Sequence, residues 1–357
     1  MYFFSSSLMA QHVEKDLPTA LNVNRKFPVS EETHHVAAHR GAIQRVLTQE
    51  DRRVLVIVGP CSASPSSAVE EFANRLKRLS EEIDQRVLVV LRTYIQKPRT
   101  TIGWPGPLNQ PDPRGEPDIE AGIWECREML WKAAQLHPLA DEMLFTHNAP
   151  HFEPLLSYIA LGARSAEDME HRYIASGFDC PVGVKNNTSG DIQVGVNGVQ
   201  CVQAPHVFAL HNQQVRSDGN PHAHLVLRGG GGRTNYDGES IRDAAALLRK
   251  ANVKNPSVLV DASHDNSLET NGNGHGKEKN PLRQLDVVDD VLAGMRERRE
   301  GYDLVRGVML ESFLRTGRQS IGPAMTLDGL SITDPCIGWK ETVGVLRKIA
   351  DATDARQ

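Results

Sequence analysis

Six cations recur along the chain, each after a short apolar run: Arg92, Lys97, Arg99, Arg164, Lys185 and Arg228. Arginine grips carboxylate and phosphate with paired donors, and lysine supplies a point charge. Gathered at one place they would repel one another, so they imply a heavily anionic substrate, or two. A second set, Cys61, His264, Glu311 and Asp334, offers a thiolate, an imidazole and two carboxylates. That mixture suits borderline divalent ions such as Mn, Fe, Co or Zn. Taken singly, Cys61 reads as a small buried hydrophobe and His264 as an ordinary satisfied histidine. Their shared position at the ends of apolar runs favours a metal site. A metal beside such anions points to Lewis-acid activation of a carbonyl or phosphoryl group. Gly229 to Gly232, directly after Arg228, could cradle a phosphate, although a glycine run alone is weak support.

Positioning these groups requires a repeating scaffold. Short apolar runs at 54–58, 87–91, 142–145, 158–163, 181–184, 207–210, 224–227, 258–260 and 307–310 read as strands covered on both faces. Helical periodicity covers 36–47, 66–83, 119–136, 167–176, 237–251, 285–299 and 342–352. Strand and helix alternate about eight times, which predicts a closed (β/α)8 barrel rather than an open sheet. In such barrels the active site lies at the carboxyl ends of the strands. Residues 101–117 are rich in Pro and Gly and form a long loop, and 266–281 is a polar, low-complexity loop. Residues 1–50 read as an arm before the barrel, which occupies 51–357; arms of this kind serve subunit contacts, so a homo-oligomer, dimer or tetramer, is expected.

Composition excludes several classes. With 39% hydrophobic and 24% charged residues, the 357-residue chain is globular. A formal charge of -5 argues against broad nucleic-acid binding. Cysteines 61, 126, 180, 201 and 336 are scattered without close pairs, which fits reduced thiols in a cytoplasmic protein. Nothing approaches a membrane span, and the mildly apolar Met1–Ala10 lacks the basic start of a signal peptide.

Several motifs, in this order, resemble the type I 3-deoxy-D-arabino-heptulosonate 7-phosphate (DAHP) synthases. They are Gly59-Pro60-Cys61-Ser62, the run Lys97-Pro98-Arg99-Thr100-Thr101-Ile102-Gly103-Trp104, Gly162-Ala163-Arg164, and Cys180-Pro181-Val182-Gly183-Val184-Lys185-Asn186. Leu227-Arg228-Gly229-Gly230, Ser263-His264, Glu311-Ser312 and Ser331 to Trp339 continue the match, which spans about residue 35 to the C-terminus. The resemblance implies a (β/α)8 barrel that condenses phosphoenolpyruvate with erythrose 4-phosphate, giving DAHP and phosphate. It implies Cys61, His264, Glu311 and Asp334 as metal ligands, and Arg92, Lys97, Arg164, Lys185 and Arg228 as the phosphoenolpyruvate site. Pro98, Arg99 and Thr100 would hold the aldehyde and its phosphate. Lys97 would donate a proton, and Glu142 stands where the family has a carboxylate near the attacking water.

The chain also departs from the family pattern. Gln96 replaces a Glu, Pro105 replaces a lysine that helps bind phosphoenolpyruvate, and Asp141-Glu142 replaces Gly-Glu. The loop from Asn109 to Ile119 differs, and the segment between Phe208 and His224 is several residues short. Asp179 stands where a Ser or Gly usually precedes the cysteine, and a buried carboxylate there would repel an amino-acid inhibitor. These departures suggest a feedback-insensitive copy serving a specialised pathway. Two further readings stay open: a related enzyme with another aldehyde or enol substrate, and a catalytically silent regulatory subunit.

Overall fold

Val54–Gly59 (β1) is buried throughout, as a continuous β-branched run demands when both faces are covered. In the computed structural model, which describes residues 12–99, 101–210, 212–270 and 277–354, β1 is one of eight strands of a closed barrel. The others are Val87–Arg92 (β2), Leu139–Glu142 (β3), Tyr158–Leu161 (β4) and Val182–Lys185 (β5), then His224–Leu227 (β8), Val258–Asp261 (β9) and Val305–Glu311 (β12). All pair in parallel, and β1 closes the ring against β12, with Val56 opposite Val308. The barrel expectation therefore holds.

Four details differ from the sequence reading. The third strand is Leu139–Glu142, not 142–145, because the charged Asp141-Glu142 pair disguises its end. The run Val207–Leu210 (β6) does not join the barrel; it pairs with Gln213–Arg216 (β7) in a separate antiparallel hairpin. Half of its residues are exposed, so it gains no covered face. The polar 266–281 segment contains a second hairpin, Leu268–Thr270 (β10) with Lys277–Lys279 (β11). An unanticipated helix, Ile192–Gln203, fills the step between β5 and β6. Its valines and two glycines hide the helical period, but Gly195 and Gly198 let it lie against Leu225 and Val184, where a Cβ would come within 2.5 and 2.7 Å.

Side-chain alternation along the strands builds the site. Leu55, Ile57, Val90, Ala140, Tyr158, Ala160, Val226, Leu259 and Met309 form one apolar cluster inside the barrel. The alternate positions, such as Val54, Val56 and Val58, pack outward against the helices. One step further along the inward faces, the same period places Arg92, Glu142, Lys185, Arg228, Asp261 and Glu311. The barrel thus has an apolar floor capped by a charged layer. Val36–Leu47, folded as the helix expected, plugs the opposite end with Ile43, Val46 and Leu47.

The preceding segment, with short helices at Ala20–Lys26 and Glu31–His34, lies on Ile119–Ala134. Fully buried Arg127 fastens it, donating from Nη2 to Asn24 Oδ1 (2.9 Å) and Phe27 O (2.8 Å), and from Nη1 to His151 O (2.7 Å). Arg127→Met removes these charged hydrogen bonds, each worth roughly 1.5–3 kcal/mol. We expect faster proteolysis within residues 12–35 and a lower Tm. Unchanged protease resistance would show that Arg127 does not hold the segment.

Candidate active site

The charged layer is organised by two buried ion pairs. Arg92 Nη2 lies 2.8 Å from Glu311 Oε1, with both side chains fully buried. Lys185 Nζ lies 3.0 Å from Asp261 Oδ2, almost as deeply. Further bonds brace the first pair. Arg92 donates from Nε to Pro60 O, Ser263 Oγ donates to Glu311 Oε2 at 2.6 Å, and Gln284 holds both backbone groups of Glu311. Burial alone would raise the Glu311 carboxyl, but Arg92, with His264 and Lys97, outweighs it and holds the group below its usual range. Asp261, likewise buried, is held well below the usual range by His264 and Lys185. The Arg92 guanidinium carbon sits 3.6 Å from the Tyr94 ring centroid, and Lys97 and Lys185 lie 5.8 Å from it. One aromatic ring therefore serves three cations that would otherwise only repel.

Above this layer opens a cleft of about 300 Å³. It is lined by Cys61, Lys97, Pro98, Arg99, Glu142, Arg164, Lys185, Arg228, His264 and Asp334, so most of the residues singled out in the sequence converge. Arg92 and Glu311 do not reach the cleft surface; they lie sealed beneath it. Thr100 lies outside the described residues. Lys97 Nζ donates to Cys61 O (2.8 Å) and Cys61 Sγ (3.2 Å). Pro105, in place of the family's lysine, does not line the cleft, but its carbonyl accepts from Lys97 N at 2.9 Å and so anchors the loop.

Cys61, Glu311 and Asp334 each offer a ligand atom, all within 4.8 Å of one another. Donors sharing one ion through bonds of about 2.0–2.3 Å lie at most roughly 4.6 Å apart. A small adjustment would therefore let them share an ion. His264 stands beside them, with Nε2 3.8 Å from Glu311 Oε1 and Nδ1 2.9 Å from Asp261 Oδ2. A carboxylate at Nδ1 fixes the ring and leaves Nε2 for an ion. Burial pushes the Cys61 thiol up, as does Glu311, while Lys97 and Arg92 oppose them. A cation at the cluster would reverse that and favour the thiolate. The residues fit a divalent metal.

Some contributors were missed in the sequence. Lys279, on β11, enters the cleft and pairs with Asp334 Oδ2 at 2.5 Å. Burial tends to raise the Asp334 carboxyl, but Lys279 and His264 outweigh it and hold it well below the usual range. Nothing in the polar run around Lys279 signals this contact. Asp261 was visible at a strand end, but its pairing with both Lys185 and His264 needs the barrel register. A buried amide relay, Asn186, Asn235 and Asn266, supports Arg228 and its loop. The glycine run is not a phosphate cradle. All four of its N–H groups are committed: Gly229 to Asn235 Oδ1, Gly230 to Arg233 O, Gly231 to Thr188 O and Gly232 to Asp265 Oδ2.

Asp141 points away from the barrel axis toward a small cavity walled by Met143, Phe152, Leu156 and Ile159. Its Oδ1 accepts from Ile95 N (3.2 Å) and Glu142 N (2.8 Å), and burial pushes its carboxyl up to about 8. In the unfolded chain the carboxyl ionises near pH 4, so between about 4 and 8 the native state binds more protons. Stability credited to Asp141 is complete below pH 4 and is lost by up to about 1.4 kcal/mol per pH unit as pH rises to 8. Asp141→Asn keeps an acceptor and cannot ionise. Urea unfolding at pH 5 to 8 is expected to show the variant gaining on wild type as pH rises; parallel curves would show that Asp141 does not titrate this way.

Comparison with known proteins agrees with this architecture. The profile of the DAHP synthetase I family matches residues 26–347. The chain is 35% identical over 350 residues to the Trp-sensitive phospho-2-dehydro-3-deoxyheptonate aldolase of Escherichia coli K12, covering 96% of each chain. It is 36% identical over 368 residues to the Phe-sensitive enzyme of the same organism, covering 100% of both. Among solved structures, phospho-2-dehydro-3-deoxyheptonate aldolase from Francisella tularensis SCHU S4 superposes with a TM-score of 0.89 at 32% identity, over 97% of this chain and 99% of that one. A barrel closed in this register, with this matched length, belongs to the DAHP synthetase I family.

Proposed function

We propose that this chain condenses phosphoenolpyruvate with erythrose 4-phosphate to give DAHP and inorganic phosphate, in a metal-dependent reaction of aromatic biosynthesis. The observation that carries this reading is a Cys/Glu/Asp cluster, with Cys61 and Asp334 lining a cleft ringed by cations and Glu311 directly beneath it. Lys185, Arg164 and Arg228 line the cleft and would hold phosphoenolpyruvate, with Lys97, whose Nζ lies 3.2 Å from Cys61 Sγ, as a fourth cation. Arg92 acts from beneath, holding Glu311 and stacking on Tyr94. Pro98 and Arg99, with Thr100, take the aldehyde and its phosphate. A divalent ion held by Cys61, His264, Glu311 and Asp334 would supply a Lewis acid for the aldehyde oxygen. C3 of the enol attacks the aldehyde carbon, and Lys97 Nζ delivers a proton to the oxygen that becomes an alcohol. Glu142 takes one proton from the water that adds at C2; the C2–O bond to phosphate then breaks, the hydroxyl at C2 becomes the ketone, and its proton leaves with the phosphate.

Replacement of the family's lysine by Pro105 removes one charged contact, a loss on the order of a hundredfold in affinity at most. That weakens binding without abolishing it, and keeps open a related aldehyde acceptor as the second reading. A silent regulatory subunit is disfavoured, since a chain without chemistry has no physical reason to gather a thiol and two carboxylates around one point. The reading includes a cytoplasmic location, supported by the free cysteines; no helix among the described residues is long and apolar enough to cross a membrane. It also includes a homo-oligomer formed through residues 1–50, supported by the exposed Val13, Leu17 and Leu21.

Insensitivity to feedback is a further part of the proposal, for a copy serving a specialised pathway. Its support is the short hairpin that replaces the longer family segment before β8. Asp179, however, is exposed and not buried as expected, so its repulsion of an amino-acid inhibitor is screened by solvent.

Two measurements check these statements. Phosphoenolpyruvate consumption with erythrose 4-phosphate and Mn2+ is expected, abolished by EDTA and by Cys61→Ala. A folded, metal-loaded protein that leaves phosphoenolpyruvate untouched would sink the synthase reading. Turnover should also be indifferent to sub-millimolar Phe or Tyr; inhibition by either would remove the feedback-insensitive claim.

A further inference from the structure

The end of the barrel opposite the active site carries a second, larger cleft. It has a volume of about 620 Å³ and reaches the amino-terminal ends of β1 and β12 at Val54 and Val305. Arg52, Arg53, Arg86, Arg298 and Arg306 all line it, against one acidic residue, Asp51. An adjoining cleft shares Arg298 and Arg306 and adds Arg249 and Arg299 together with the acids Glu300 and Asp303. In a chain with formal charge -5, this concentration of guanidinium groups is local.

Part of it has a structural explanation. Arg53 is committed to Asp51, with Nη2 2.6 Å from Oδ2. Arg86 lies 3.9 Å from Asp351, and Arg249 lies 2.6 Å from Asp303. Barrel helices end at this face, and their carboxyl poles attract cations. Arg306 partly serves that purpose, donating from Nε to Leu47 O at 3.3 Å, where Val36–Leu47 ends.

What remains is not explained by capping. Arg306 is 8% exposed, and its hydrogen bonds run from Nε and Nη1 to the carbonyls of Leu47, Asp303 and Val305. Its Nη2 has no partner among the described residues. No carboxylate among them lies within ion-pair distance of Arg306, Arg52 or Arg298. The guanidinium is largely desolvated with only carbonyls as hydrogen-bond partners; burial pulls it down to about 10, the Asp303 carboxylate, itself paired with Arg249, only partly opposing this. An oxyanion in the cleft would satisfy Nη2 and neutralise the two exposed arginines at the rim, since guanidinium forks match phosphate oxygens. The volume is that of a small-ligand pocket.

We propose that this cleft is a second anion site, at the amino-terminal end of the barrel, that holds a small compound carrying a diphosphate or two phosphate groups. Arg306 is its buried anchor, and Arg52 and Arg298 close over the ligand from the rim. The site lies across the barrel from the catalytic cleft and shares no residue with it.

The test is titration calorimetry with inorganic pyrophosphate on the full chain, in wild type and two variants. Arg52→Ser/Arg298→Ser changes two exposed side chains, so the fold is retained, which an unchanged Tm verifies. Arg164→Ala weakens anion binding at the catalytic cleft instead. The proposal expects two classes of site in wild type. The double variant should weaken one of them roughly tenfold or more, and Arg164→Ala the other. A single class of site that disappears with Arg164→Ala would overturn it. So would a double variant with both classes intact, or a wild type that binds no pyrophosphate.

Discussion

Charge buried inside a barrel must be paired, and that requirement shapes this molecule. Taking an ion out of water costs several kcal/mol even after relaxation, and removing one partner of a buried pair costs about 3–5 kcal/mol. Arg92 with Glu311, and Lys185 with Asp261, meet the requirement at the top of the apolar barrel interior. Their positions follow from the two-residue period of the strands. Six of the eight strands place a charged side chain at the uppermost inward position, and β1 and β4 place Gly59 and Gly162 there. Gly162 belongs to the same layer, and a Cβ there would come within 2.0 Å of Glu142 Oε1. The absence of a side chain makes the space that its charged neighbour fills.

Function arises where pairing is incomplete. Arg92 and Lys185 spend their charge on carboxylates, but Lys97 rests on a carbonyl and a thiol. Arg228 lies 3.7 Å from Asp265, a loose contact. The cleft thus presents more positive charge than its own acids neutralise, close to a thiol and two carboxylates that suit a cation of higher charge. An anionic enol phosphate and a metal ion would each complete a deficit the protein leaves. The ion pairs below keep these groups from collapsing onto one another before the ligands arrive.

Much of this was legible in the sequence, for physical reasons. Continuous apolar runs such as Val54–Val58 and Val87–Leu91 have few alternatives to a doubly covered strand, and a charged residue directly after each run must sit at a barrel mouth. That placed Arg92, Lys185, Arg228 and Glu311. The failures share a cause: they depend on pairings that no local apolar or polar pattern signals. Val207–Leu210 is apolar enough for a barrel strand, but its partner is the neighbouring polar Gln213–Arg216. The glycines after Arg228 resemble a phosphate loop until Asn235, Asp265 and Thr188 are seen to occupy their N–H groups. Lys279 lies in a polar segment with no local pattern, and only the β10–β11 hairpin carries it to Asp334.

A crystal structure of the protein with Mn2+ and phosphoenolpyruvate tests the central claim most directly. The account predicts the ion bonded to Cys61, His264, Glu311 and Asp334, with the carboxylate and phosphate of the ligand against Lys97, Arg164, Lys185 and Arg228, and with both buried ion pairs intact. Phosphoenolpyruvate bound away from these four cations, or an ion held without Cys61 and Glu311, would contradict it.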